Sequence, residues 1–262
     1  MRKIRIVHAT FAVTMIGLGT IGLFRPDFAP VWNPVPVTVP ARELFLYLGA
    51  LISLTCGIGL LVQRVAIMAA RLLLATLLLW LLLFRLPNFF RAPAFEACWS
   101  VFPLAVMLAA AWVLYVWFAG DWDCKHLSFI SGNNGLRIAR VLYGLSLVFF
   151  GTAHFIDLKD TLSLIPNWLP GHLFWAYFTG CAFIAAGVAV LIGFHAGLGA
   201  ALSALQISLF LLLVWIPIVM AGSKNSFQWS ETILNAALAA GAWVIADSYR
   251  GTSRLAVNNR ST

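Results

Sequence analysis

The chain has 262 residues; 62% are apolar, about 162 in all, and only 10% are charged, where an ordinary soluble domain carries roughly 25%. A water-soluble globule of this size cannot hide so much apolar surface, which excludes a soluble enzyme, a disordered chain and a secreted disulfide scaffold. The net charge of +8 comes from Lys and Arg scattered through short segments, a topogenic pattern and not a nucleic-acid surface.

In chain order, a basic start (Arg2, Lys3, Arg5) precedes a first apolar run over residues 6–24. It resembles a signal peptide, but no small-x-small site follows and the segment has a counterpart later, so a retained helix is expected. Seven further apolar runs follow over 44–62, 66–86, 99–118, 138–156, 173–192, 196–220 and 230–247. About 20 residues cross the hydrocarbon, so the reading is an all-α polytopic membrane protein with eight transmembrane helices. Continuous runs, without alternation, exclude a β-barrel.

With the N-terminus inside, eleven Lys and Arg fall on inner segments and six on outer ones. This predicts a multi-pass protein of the bacterial plasma membrane with both termini cytoplasmic. Trp32, Trp117, Trp122, Trp168, Trp175 and Trp229 sit near span ends, as an aromatic belt requires. Cys56, Cys98, Cys124 and Cys181 lack CxxC or ligand-like spacing and read as packing residues.

The chain also repeats itself. Gly19-Thr20 recurs as Gly151-Thr152, Pro34 as Pro166, Ala69-Ala70 as Ala200-Ala201, Pro87 as Pro217 and Ala111-Trp112-Val113 as Ala242-Trp243-Val244, at offsets of 130 to 132. Five ordered matches at nearly constant offset predict a duplication. The expected layout is two tandem four-helix bundles: 1–120, a cytoplasmic linker 121–137, 138–249, and a tail 250–262. Four spans per half put the pseudo-two-fold axis along the membrane normal.

The second half resembles the DoxX family of small four-helix membrane proteins. The resemblance rests on Phe150-Gly151-Thr152-Ala153-His154-Phe155, Ile165-Pro166-Asn167-Trp168-Leu169-Pro170-Gly171, Thr179-Gly180, Ala186-Gly187 and Glu231-Thr232-Ile233-Leu234-Asn235. The first half departs from it: Gly22 stands where His154 would fall, and Glu96 is followed four residues on by Ser100, not Asn. Such a resemblance implies a membrane subunit linked to thiosulfate:quinone oxidoreductase, disulfide maturation or other redox complexes.

The candidate ligand-binding residues are His154, Asn167, Trp168, Glu231 and Asn235, all predicted at one outer membrane depth. Ionisable groups inside a span are costly and face the bundle interior. His154 and Glu231 could exchange protons with a quinone head group while Trp168 walls it. The structural alternative has Glu231 favoured by its helix N-terminus and His154 tying two spans together. No catalytic or metal residue is assigned, and no cofactor is demanded; a quinone is the one this reading would use.

The expected function is thus an accessory or quinone-interacting subunit of a membrane redox system, with the bilayer and a redox protein as partners and no nucleic acid. Small-molecule transport and a membrane scaffold for a soluble partner are the alternatives. Among the other polar residues, Glu96 with Arg85 and Arg91 reads as a rim ion pair. Arg71 and His8 read as snorkelling side chains, Asp121, Asp123, Cys124 and His126 as a solvated loop, and Pro87 and Pro217 as span ends or kinks.

Overall fold

A computed structural model of the protein describes residues 3–25, 35 and 39–250, and the structural statements below concern these. Trp32, Pro34 and the tail beyond 250 lie outside them. The described residues form helices α1 (Ile6–Phe24), α2 (Arg42–Leu61), α3 (Ala66–Trp80), α4 (Ala94–Phe118), α5 (Asp121–His126), α6 (Gly132–Ile156), α7 (Leu158–Leu164), α8 (His172–Ile192), α9 (Ala196–Phe210), α10 (Ile216–Met220) and α11 (Ser226–Asp247). Lipid offers no hydrogen bonds to an open backbone, so apolar runs of this length resolve into helices.

Seven rods are long and apolar enough to cross a membrane: α1, α2, Ala66–Arg85, α4, α6, α8 and Ala196–Met220. The protein is a polytopic, all-helical membrane protein. The eighth predicted span falls in α11, which has 22 residues but carries Gln228, Glu231, Asn235 and Asp247 and is not among those seven.

Pro87 and Pro217 fall where span ends or kinks are expected: Pro87 just past the rod Ala66–Arg85, Pro217 within the rod Ala196–Met220. Each lacks the N–H that would close the preceding turn. Just upstream the helix widens into a π turn, over Leu81–Arg85 and Leu211–Trp215. There the Leu86 N–H reaches back to the Leu81 carbonyl and the Ile216 N–H to that of Leu211, an i to i−5 bond that absorbs the proline.

Packing runs in parallel through the two halves. In the first, α1 lies on α2, α2 on α3 and α3 on α4; in the second, α6 lies on α8, α8 on α9 and α9 on α11. The tightest seams, α1 with α2 and α6 with α8, use glycine the same way. A Cβ on Gly57 would stand 2.8 Å from the Ala12 carbonyl oxygen and 2.8 Å from the Ile16 nitrogen. A Cβ on Gly187 would stand 2.7 Å from the Gly144 oxygen and 3.0 Å from the Val148 nitrogen. Gly19 meets Ala50 and Leu54 as Gly151 meets Gly180 and Ile184. Every pair is displaced by 132 residues in the first helix and 130 in the second. Without hydrophobic drive between helices in lipid, such close approach supplies the attraction.

Two bundles side by side would each close on their own fourth helix. Here, beyond its seam within the half, the first helix of each half packs on the fourth helix of the other more than on its own: α6 on α4, and α1 on α11. α4 and α11 also pack on each other at the centre, and every residue from Pro103 to Tyr115 is buried. The small-residue stripe of α11 serves this contact: Gly241 faces Ala110, Val106 and Phe11.

The starts of α1 and α3, the end of α4, all of α5 and the end of α11 meet at one end of the molecule. Arg5 pairs with Asp247, Arg71 with Asp123, and the Trp117 indole donates to the Lys3 carbonyl at 3.2 Å. We call this the basic end.

Candidate functional site

At the opposite end, His154 sits in the last turn of α6. Its Nδ1 lies 2.7 Å from the Phe150 carbonyl oxygen. A carbonyl only accepts, so Nδ1 carries the proton and a neutral ring presents a lone pair at Nε2. The ring stacks on Phe210 with centroids 5.9 Å apart and meets Phe183 edge-on at 5.6 Å. Gly180 makes room for it: a Cβ there would lie 3.0 Å from the His154 Cβ. One turn away, the Gln206 amide donates to the Thr179 carbonyl at 3.0 Å. His154 is therefore held by its own helix and by aromatic faces of α8 and α9.

Glu231 lies in the second turn of α11, half-buried, with Asn235 one turn deeper. Neither makes a side-chain hydrogen bond or ion pair among the described residues. Asn225 caps α11, its side chain accepting from the Phe227 N–H at 2.9 Å, so the dipole of that end is already met by a neutral cap. Asn167 and Trp168 lie exposed in the connection from α7 to α8, Trp168 at 69%.

The five predicted residues thus share one end of the second half, yet no hydrogen bond, ion pair or ring contact among the described residues joins any two of them. The reason is lateral. Spacing along a helix gives depth, but α6 and α11 touch only sparsely, and His154 faces α8 and α9. The polar partner of His154 is the Phe150 carbonyl of its own helix, and not a group on another span as the structural alternative has it.

The polar structure that residue spacing missed is at the basic end. Asp123, read as part of a solvated loop, is 1% exposed. Arg71 binds it through Nε at 2.9 Å and Nη2 at 2.6 Å, Tyr115 donates at 3.1 Å and the Gly120 N–H at 3.0 Å. Burial alone would raise its pKa; the bonds from Arg71, Gly120 and Tyr115 outweigh that and hold the carboxyl below its ordinary range. Arg71 is thus a partner of Asp123 as well as a snorkelling side chain.

Asp247, 5% exposed, binds Arg5 at 2.6 Å and Arg250 at 3.2 Å, with His8 Nε2 at 3.7 Å. Arg5 lies over the Trp117 ring at 4.1 Å. Arg140 stacks on Tyr249 at 3.8 Å and donates to the Ser248 carbonyl at 2.6 Å. Burial pushes the Tyr249 phenol up, partly offset by Arg140. One signal was legible: Asp121 and Asp123 follow the last apolar turn of α4 and Asp247 that of α11, in a chain with nine acids to 17 bases. At the other end, Glu96 is exposed and forms no ion pair among the described residues, while Arg85 is buried at 4%.

No family model, curated protein or solved structure matches the chain.

Proposed function

We propose that this is a DoxX-like integral membrane protein of the bacterial plasma membrane, duplicated in tandem with α11 as its eighth span. In this reading both termini are cytoplasmic. The second half serves as an accessory, quinone-interacting part of a membrane redox system. The observation that carries the ligand reading is His154: an imidazole whose Nδ1 is taken by the Phe150 carbonyl, leaving Nε2 without a protein hydrogen bond among the described residues, beside the rings of Phe183 and Phe210. An apolar ring carrying a hydroxyl can stack there and donate to Nε2, while Glu231 and Asn235 offer further polar groups at the same depth. Three observations support the duplication: matched glycine seams, matched π turns, and the contact of Gly241 with Ala110. The last two positions are 131 apart, and a residue touches its own counterpart only near a two-fold axis.

The test is gentle extraction of the protein and of His154→Ala, followed by organic extraction and spectroscopy of the retained lipid-soluble chromophore. The proposal expects the chromophore in the parent and its loss from a folded variant. Equal retention in both, or none in the parent supplied with quinone in vesicles, would overturn it.

A further inference from the structure

The segment between the halves carries a second site. Asp123 points inward and pins α5 against α3 and α4 through Arg71, Tyr115 and Gly120. That fixes what α5 turns outward. Trp122, Lys125 and His126 are exposed and neighbour one another, spaced by three and four residues. His126 stacks on Trp122 at 4.8 Å and Trp122 covers the Arg71 guanidinium at 5.3 Å. Trp122 is 57% exposed and Phe129, at the end of the same segment, 67%. Three donors here have no hydrogen-bond partner among the described residues: Arg71 Nη1, the Lys125 ammonium and the Trp122 indole N–H.

Depth and charge identify the occupant. Arg71 is the sixth residue of α3, about 7.5 Å along the rod from its start at 1.5 Å per residue. The neighbouring Met68 and Leu72 on α3 are 67% and 48% exposed, a face that a membrane rod turns to lipid. Trp122 is therefore level with the headgroup layer. Arg64, Arg71, Lys125 and Arg137 outweigh Asp121 and Asp123 at this end. We propose that α5 is an interfacial element that binds the phosphate of an anionic phospholipid between Arg71, Lys125 and Trp122, with Phe129 buried in the same leaflet. A soluble protein partner would meet a face turned toward water, without lipid-facing rods beside it.

The test places a nitroxide on Cys124, which is exposed on α5, after replacing Cys56, Cys98 and Cys181 by Ala. Collision with oxygen against a water-soluble nickel chelate then gives its depth, in phosphatidylcholine vesicles with and without phosphatidylglycerol. The expected result is a label about 5–10 Å below the phosphate level, deeper with phosphatidylglycerol. Lys125→Glu should abolish that lipid dependence, and Trp122→Ser with Phe129→Ser should move the label outward. Neither change touches Asp123, and an unchanged melting curve checks folding. A label in bulk water in both vesicles overturns the proposal even if the variants fail. So does a lipid dependence erased by added inorganic phosphate, or a label shielded only by a captured soluble protein.

Discussion

The two halves share their seams and differ inside. Tyr143, fully buried, donates to Ser203, which donates in turn to the Gly199 and Ala200 carbonyls. The positions 132 and 130 residues earlier are Phe11 and Leu73, both fully buried. Gln206 reaches across to α8, while Thr76, 130 earlier, bonds back to Leu72 of its own helix. His154 stands where the first half has Gly22, Glu231 where it has Ser100, and Asn235 where it has Leu104. A polar group in hydrocarbon is costly unless something answers it, so the first half, which lacks the second half's polar groups at these matched positions, reads as scaffold. The second has kept an interior that can address a ligand.

That contrast can be broken at several points. One buried Asp lies near the end of each fourth helix, Asp123 in α5 just past α4 and Asp247 at the last residue of α11, yet Asp123 is held by its own half and Asp247 by Arg5 of the other. Asp247→Ala and Asp123→Ala should each cost about 1.5–3 kcal/mol by removing charge-assisted hydrogen bonds, read as loss of thermal stability in detergent. Only Asp247→Ala should release the N-terminal segment to protease.

The seams should respond equally. Gly19→Val and Gly151→Val each force a side chain onto the facing backbone, and each should lose about 1–3 kcal/mol. A marked inequality between the two melting shifts would break the equivalence of the seams.

The interiors should respond unequally. Phe11→Tyr introduces a hydroxyl beside Leu73 and should cost about 1–3 kcal/mol for an unsatisfied buried donor. Tyr143→Phe removes one bond while Ser203 keeps its carbonyls, and should cost only about 1 kcal/mol. Paired chemical denaturation of the two variants measures the difference.

The smallest effect is in acid. The Asp123 carboxyl is held low in the folded protein. Its stabilisation is therefore complete above the ordinary carboxylate value of about 4, declines as pH falls through that value, and is gone below the lowered one. Melting temperature against pH should show an acid limb that Asp123→Asn flattens.

What the sequence carried was everything periodic: the runs, the offsets, the two prolines. It also placed His154 and Glu231 at one end, since depth along a helix is read by counting residues. It could not give azimuth, so it brought together side chains that face different neighbours. Nor could it distinguish a loop aspartate in water from Asp123, because burial there depends on Arg71, 52 residues earlier. The Ser131-Gly132-Asn133-Asn134-Gly135 cluster, turn-like by composition, is the cap and first turn of α6, the other setting that favours Ser and Asn.

The cross-closure of the halves has a consequence for how the chain is made. Among the described helices, α1 leaves the ribosome first and its partner α11 last. Until α11 arrives, the face of α1 that will meet it has no protein to cover it, and α4 lacks one of its central neighbours. The N-terminal half thus waits in the bilayer as an open assembly through the synthesis of more than 200 residues. Quality control that reads an uncovered α1 would in effect be checking that translation had passed α11.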